Sequence, residues 1–168
     1  PCTVNAFVGA FWADFDGDGD VDVTVHMITK LLQYPAPQTN YVYRNEGNGR
    51  FTCLTAHPIA GVTNRVMSMA WADFDSDGDL DLVLTYLSST TFLLDQGNTL
   101  VAAQPSGPLP SRSAAVAPQL FDYEGDGDLD LAVRNGTSLR LWRNDGGFCF
   151  VEAPTDLALA LDYRIRHL

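Results

Sequence analysis

The chain of 168 residues is 46% hydrophobic and carries a formal net charge of −11 at pH 7. This hydrophobic content is too high for a disordered acidic tail. The ten lysines and arginines are scattered and form no basic stripe, which argues against nucleic-acid binding, and no apolar run reaches the roughly 18 residues that a membrane-spanning helix needs.

The first of three short acidic stretches is DFDGDGDVD at 14–22, which alternates carboxylates with other residues and has glycine in its sixth position. The three stretches hold 15 of the 21 acidic residues, so the negative charge is local. Small apolar residues at 6–13 precede the first stretch, and the alternating segment VDVTVHM follows from Val21, which predicts a strand on either side of an acidic loop. The segment YVYRNEGNGRFTCL at 41–54 then predicts a hairpin with its turn at 45–49.

The same organisation returns twice along the chain. WADFDSDGDLDL at 71–82 and LFDYEGDGDLDL at 120–131 match WADFDGDGDVDV at 12–23 in register. Each has an apolar segment before it and an alternating segment after it, and each is followed by a hairpin pattern, at 91–103 and 139–151. Every repeat therefore predicts four short antiparallel strands, with the acidic loop and the hairpin turn at the same end.

Four antiparallel strands in a unit of about 50 residues predict an all-β fold built from β-propeller blades. We assign blade 1 to about 6–55, blade 2 to about 66–103 and blade 3 to about 114–152, within a single propeller segment at 1–168. The remainder, 153–168, is a tail or the first strand of a further blade. Three blades do not close a ring. We therefore expect a processed or partial product, or a ring completed by blades of the same or another chain.

The acidic loops have the composition of a hard-cation site. Each loop has acidic side chains at positions 1, 3, 5, 7 and 9, and oxygen ligands at alternate positions suit calcium. The glycine at position 6 permits the sharp turn that brings the later oxygens back. An EF-hand is excluded, because its required glutamate at position 12 is replaced by Val25, Leu84 or Val133 and strands replace its helices. We expect about three calcium ions, one for each loop, with a structural role.

The repeated D-x-D-x-D-G-x-x-D pattern, with WADF before it and YRNEGNGRF after it, resembles the FG-GAP or VCBS type of repeat found in integrin α-subunit propellers and propeller lectins. The resemblance implies side-chain ligands at positions 1, 3, 5 and 9 and a backbone carbonyl ligand at position 7. Glu124 departs from the usual Asp or Asn. The implied ligands are Asp14, Asp16, Asp18, Asp20 and Asp22 in the first loop, Asp73, Asp75, Asp77, Asp79 and Asp81 in the second, and Asp122, Glu124, Asp126, Asp128 and Asp130 in the third.

These features favour a non-enzymatic recognition or scaffold module that binds a protein partner or a glycan. The variable segments at 28–40, 56–65 and 104–112 lie opposite the predicted calcium face and are the candidate contact loops. A lectin-like propeller is the alternative, and the non-catalytic part of a larger secreted hydrolase or lyase is the second alternative. The need for abundant calcium favours an extracellular location or a calcium-rich lumen. No nucleophile elbow, P-loop or HExxH motif is present.

Several single residues have ordinary structural interpretations. The three cysteines are buried small hydrophobes, or one pair forms a disulfide. We interpret the three histidines as core or surface residues and the three tryptophans as packing residues, and Asn135 begins a glycosylation acceptor pattern. The residues concerned are Cys2, Cys53, Cys149, His26, His57, His167, Trp12, Trp71, Trp142 and Asn135.

Overall fold

The computed structural model describes residues 6–28, 38–62, 66–86, 89–97, 99–107, 116–135 and 138–154. Within these residues the protein consists of strands, turns and one short 3₁₀ helix, Pro58–Gly61, and no helix there is long and apolar enough to cross a membrane. The strands are β1 (Ala6–Ala13), β2 (Asp22–Ile28), β3 (Gln38–Asn45), β4 (Phe51–Cys53), β5 (Val66–Ala72), β6 (Asp81–Tyr86), β7 (Thr90–Asp95), β8 (Leu100–Ala103), β9 (Val116–Phe121), β10 (Asp130–Asn135), β11 (Ser138–Asn144) and β12 (Phe150–Glu152).

The strands form three four-stranded antiparallel sheets, each in simple chain order, which we call sheets 1, 2 and 3. Sheet 1 contains β1 to β4, sheet 2 contains β5 to β8, and sheet 3 contains β9 to β12. This result confirms the predicted all-β fold of blade-like sheets. The chain divides into two compact units, Pro1–Val66 and Met67–Leu168, so that sheet 1 lies in the first unit and sheet 3 and almost all of sheet 2 lie in the second.

The registers of sheets 1 and 3 are equivalent, because matching residues of the two repeats occupy matching rows. In sheet 1, Trp12 pairs with Val23, which pairs with Tyr43. In sheet 3, Leu120 pairs with Leu131, which pairs with Trp142. The equivalent row of sheet 2 contains Leu82, which pairs with Leu93. Side chains on alternate rows of a strand point to the same face. We call the face that carries these rows the A face of each sheet, and the opposite face the B face.

The core of the second unit lies between the B face of sheet 2 and the A face of sheet 3. Phe92 is fully buried and contacts Phe74 and Phe148 edge to face, with ring centroids 5.1 and 5.2 Å apart. Phe150 and Trp142 of sheet 3 are buried in the same cluster. Sheets 2 and 3 therefore bury these two apolar faces against each other. The cluster also confirms the packing role predicted for Trp142.

The alternating pattern of β2 predicts a half-buried strand with its apolar side chains inside, but the structure buries the opposite, polar face more completely. Val25 and Met27 are only partly buried. Thr24 and His26, which the pattern leaves to solvent, are 0% exposed. His26 Nδ1 lies 2.6 Å from Asn40 Oδ1, and the Asn40 amide donates to the carbonyls of Ile59 and Val62 in and after the 3₁₀ helix. The strand is half-buried, but its more buried face is the polar one, because a connecting segment packs over this face and supplies it with hydrogen-bond partners.

Other single-residue interpretations also change. Trp12 is 61% exposed, so the described chain does not give it the packing role that we predict from its repeated position. Cys53 is exposed and unpaired rather than buried, and Cys149 is partly buried and also unpaired. His26 is a core residue as expected, whereas His57 caps the 3₁₀ helix by accepting from the Ile59 amide.

Some predictions concern residues outside the described ranges. They include the proposed further strand at 153–168 beyond residue 154, and most of the variable segments at 28–40 and 104–112. Cys2, His167 and the rest of the glycosylation pattern that begins at Asn135 also lie there.

Candidate metal centres in the acidic loops

Each acidic loop curls around the carboxylate in its first position. Asp14 Oδ1 accepts from the amide of Asp18 at 3.1 Å, and its Oδ2 accepts from the amide of Gly19 at 2.9 Å. The same pair of bonds occurs in the other two loops. They run to Asp73 from Asp77 (3.2 Å) and Gly78 (3.0 Å), and to Asp122 from Asp126 (3.2 Å) and Gly127 (3.0 Å). An ionised carboxylate has about four lone-pair sites, so a carboxylate that accepts two or three amides can still bind a cation.

The glycine in the sixth position makes the predicted sharp turn. Gly19, Gly78 and Gly127 have φ angles of +94°, +99° and +99°. Residues with a Cβ rarely adopt this conformation. The amide of this glycine is also the one that reaches back to the first carboxylate, so the turn and the folded-back loop depend on one another.

The acidic residue in the seventh position, expected to offer its backbone carbonyl, donates its amide to the carboxylate in the fifth position. The bond from Asp20 to Asp18 Oδ1 is 2.9 Å long, and its equivalents are 3.0 and 3.1 Å long. The loops therefore bring positions 1, 5 and 7 together by local hydrogen bonds alone. The structure shows the same arrangement in all three copies.

The carboxylate in the ninth position opens the second strand of each sheet and is fully buried. Asp81 Oδ2 accepts from the amide of Phe74 at 2.8 Å, and Oδ1 accepts from the amide of Asp95 at 2.8 Å. The first bond fixes the start of the acidic loop, and the second fixes the start of the hairpin turn. Asp22 and Asp130 make the equivalent pairs of bonds in sheets 1 and 3. The acidic loop and the hairpin turn therefore lie at the same end of each sheet, as predicted.

Burial makes the ninth carboxylate costly to ionise. It raises the pKa of Asp81 to about 6, although the amides of Phe74 and Asp95 act in the opposite direction. Burial likewise raises the pKa of Asp22 and of Asp130. A bound cation would offset this desolvation by supplying the opposite charge.

The second loop brings together an oxygen-only donor set. Ligand atoms of Asp73, Asp75 and Asp81 lie within 4.8 Å of one another. Asp75 Oδ1 is buried and has no hydrogen-bond partner among the described residues. Burial raises the pKa of Asp75, and the neighbouring carboxylate of Asp77 raises it further. A buried polar atom without a partner is uncommon and calls for an explanation. A hard cation fits this donor set, because it would satisfy the oxygen and cancel the repulsion.

The first loop also converges, because ligand atoms of Asp14, Asp16 and Asp18 lie within 4.8 Å of one another. Arg44 Nε lies 4.0 Å from Asp16 Oδ2, although this arginine bonds more closely to Glu46. The cluster is more exposed than that of the second loop. Burial, followed by repulsion from Asp18, raises the pKa of Asp16. The structure therefore places three of the implied side-chain ligands of this loop around one point.

The third loop differs because its glutamate, Glu124, forms an ion pair with Arg143. Arg143 Nε lies 3.3 Å from Glu124 Oε1, and the same guanidinium bonds to Asp145. Within the described ranges, no three ligand atoms of this loop converge as those of the other loops do. The sequence signal for this arginine is the shared register of YRNEG and WRNDG in the hairpins. Sheet 2 has Leu94 in this position.

The acidic loops also carry the similarity to known proteins. A family model described as an FG-GAP-like repeat matches residues 14–84. The chain is 28% identical over 155 residues to Cartilage acidic protein 1 of Homo sapiens, in an alignment that covers 83% of this chain and 22% of that protein. The mouse protein of the same name is also 28% identical, with coverages of 83% and 23%.

This chain thus spans less than a quarter of the length of the curated relatives that it matches. The matched segment begins at Asp14, the first carboxylate of the first loop, and ends within β6, just after the second loop. The third loop repeats the same hydrogen bonds beyond the match. Residues 14–84 therefore match the FG-GAP-like repeat, which confirms the resemblance inferred from the acidic motif.

Proposed function

We propose that this chain is a calcium-braced protein-interaction module that acts outside cells, and that the calcium ions are structural. The FG-GAP-like match supports the interaction role at the level of the family. Each ion would be held by the acidic residues of one loop. Three divalent ions would reduce the formal charge from −11 to −5. The ions would also hold each acidic loop against the adjacent hairpin turn.

The observation that carries the calcium proposal is the donor set of the second loop. Asp73, Asp75 and Asp81 offer converging oxygens, and the buried Oδ1 of Asp75 has no partner among the described residues. Calcium takes six to eight oxygen ligands, from carboxylates, backbone carbonyls and water. The Asp79 carbonyl and the Asp77 carboxylate are the further ligands that the resemblance implies.

The test is calcium titration of chelator-stripped protein by isothermal calorimetry and native mass spectrometry. We expect the wild-type chain to bind about three ions and to melt at a higher temperature when calcium is restored. At about 100 times its dissociation constant, each ion adds roughly 2.7 kcal/mol to the free energy of unfolding. Asp75→Ala should remove the ion from the second loop and part of this stabilisation.

Asp95→Asn is a matched control because it also removes one negative charge from sheet 2. Asparagine already occupies the equivalent positions in the other sheets, at Asn45 and Asn144. The control should therefore keep all the ions. If wild-type protein takes up no calcium and its melting temperature does not change, the proposal is wrong. Equal effects of the two substitutions would show that net charge, rather than the donor set, controls binding.

The A face of sheet 1 is the surface that we propose for a partner. In sheet 3 the same face packs on the B face of sheet 2, and there Phe150 is fully buried and Leu120 packs against the core cluster. The equivalent residues of sheet 1 are exposed, since Phe51 is 45% and Trp12 is 61% accessible. The surface therefore has the shape and composition to receive the B face of a further four-stranded sheet of the same kind.

The proposed location also follows from chemistry. The relatives carry the name Cartilage acidic protein 1, which places those proteins in cartilage. Calcium sites of extracellular modules have dissociation constants of about 10⁻⁴ to 10⁻³ M, so they fill only where calcium is abundant. An extracellular location would satisfy this requirement.

A further inference from the structure

The acidic loops of sheets 2 and 3 are joined by hydrogen bonds within the second unit. Ser76 Oγ, in the second loop, donates to Asp128 Oδ1, in the third loop, at 2.9 Å. Asn144 Nδ2, in the hairpin turn of sheet 3, donates to the carbonyl of Phe74, in the second loop, at 3.1 Å. One bond is exposed and the other is buried. The second loop therefore contacts both the third loop and the hairpin of sheet 3.

Ser76 is the residue that distinguishes the second loop from the other two. It occupies the fourth position, where the other loops have Gly17 and Gly125, and all three residues have positive φ angles, of 64°, 70° and 80°. The left-handed conformation suits glycine and strains a residue with a Cβ. The second loop thus has an unfavourable backbone conformation at a position where glycine makes the same conformation favourable in the other two loops. What the serine adds is the hydroxyl that reaches Asp128.

The buried bond gives the contact a fixed frame. Phe74 donates its amide to Asp81 and accepts at its carbonyl from Asn144. The backbone amide of Asn144 in turn donates to Asp130 Oδ1 at 2.9 Å. A continuous chain of hydrogen bonds therefore connects the ninth carboxylates of the two loops. Asp81 and Asp130 are both fully buried, so this series of hydrogen bonds holds the two loops in register.

We propose that Ser76 couples calcium binding at the second and third loops, so that an ion in one loop raises the affinity of the other. This inference rests on the calcium sites proposed above. Ser76 lies between Asp75 and Asp77, two side chains of the second donor set, so an ion there fixes its backbone. Its hydroxyl then holds Asp128, the residue whose carbonyl is implied as a ligand in the third loop. Ordering this residue in advance lowers the entropy cost of the second ion.

Ser76 acts here as a positioning residue, and the coupling factor is the same in both directions, so either loop can report it; the third loop is the reporter that we choose. That loop has the weaker donor set, because Glu124 is held by Arg143. The first loop has Gly17 in the equivalent position, which has no side chain to make the equivalent contact.

The experiment measures the calcium affinity of the third loop with the second loop intact and ablated. Chelator-stripped, ¹⁵N-labelled protein is titrated with calcium chloride, and the amide resonance of Gly127 reports the third loop. Asp73→Ala ablates the second loop. We expect this ablation to weaken calcium binding at the third loop about fivefold in the Ser76 background, at the low end of usual coupling factors. In the Ser76→Gly background we expect the ablation to change the calcium affinity of the third loop only through the loss of the Asp73 charge.

The comparison isolates the hydrogen bond from electrostatics. Loss of the Asp73 charge acts equally in both backgrounds, so only the difference between them reports coupling. Glycine suits the positive φ angle at position 76, so the variant should fold and bind the same number of ions. An equal effect of the ablation in both backgrounds would overturn the coupling and leave the calcium sites standing. Absence of calcium binding in the wild-type chain would overturn both proposals.

Discussion

The carboxylates of the acidic loops have different structural roles, although they are evenly spaced in the sequence. Those in the ninth position accept two backbone amides each and are fully buried, while Asp16 and Asp75 in the third position offer oxygens to the loop interior. Asp81 combines the two roles, because it also belongs to the converging set of the second loop. The alternating motif predicts which residues are acidic ligands. It does not predict which of them also tie a hairpin to a loop.

His26 provides a prediction at the residue scale. Its imidazole is fully buried, and burial lowers its pKa below the usual value. As the pH falls below about 6.5, the unfolded chain takes up a proton that the folded chain resists, so stability is lost down to the folded pKa. Above about pH 6.5 this stability is fully present, because His26 is then neutral in both the folded and the unfolded chain. At pH 5.5 the loss reaches at most about 1.4 kcal/mol.

The measurement compares urea unfolding of the wild type and of His26→Gln at pH 7.5 and 5.5, with calcium removed throughout. Carboxylates contribute their own pH dependence, but this contribution is common to the two proteins. The stability of the variant should therefore fall less between the two pH values than that of the wild type. Identical pH profiles would show that His26 is not a source of acid sensitivity.

At the scale of single elements, the acidic loop is specified by local chemistry. The turn glycine and the first carboxylate are close in sequence, and their hydrogen bond forms within six residues. This is why the spacing of the motif predicted both the loop and its sharp turn. The strand faces are different, because their burial depends on distant segments. Asn40 and the 3₁₀ helix cover a polar face that alternation alone assigns to solvent.

Gly78→Ala tests the turn directly. A Cβ at this position meets nothing within 4 Å, so the cost comes from the φ angle of +99° alone. We expect a loss of about 1 to 2 kcal/mol in the free energy of unfolding. Gly61→Ala is the control, since it also has open space but lacks a positive φ angle. It should be neutral or slightly stabilising. Equal losses from the two changes, measured by denaturant unfolding, would contradict the strained-turn explanation.

At the scale of the whole molecule, the sheets depend on one another for burial. The A face of sheet 3 is buried by the B face of sheet 2, whereas Trp12 and Phe51 on the A face of sheet 1 are exposed. A sheet of four short strands cannot bury an apolar face by itself. Trp12 is therefore the residue whose environment reports whether a further sheet docks there.

Trp12→Ala should have different costs in two contexts. In the protein as its organism expresses it, docking of a further sheet would bury the indole, and the substitution should cost about 3 to 5 kcal/mol. In the 168-residue chain, where the side chain is 61% exposed, the cost should be below about 1 kcal/mol. Val101→Ala, on an exposed strand position of sheet 2, should cost little in both. A small cost for Trp12→Ala in both contexts would show that no sheet covers this face.

The sequence by itself determined the repeat, the four strands of each sheet and the three acidic loops, because these depend on patterns within about 50 residues. Turn glycines, alternation and acidic spacing act locally, so their consequences can be read without knowing the rest of the fold. Only the tertiary structure decided that Trp12 is exposed, that Arg143 holds Glu124, and that Ser76 reaches Asp128. Those outcomes depend on which residues from separate sheets and turns meet, and short-range preferences carry no information about that.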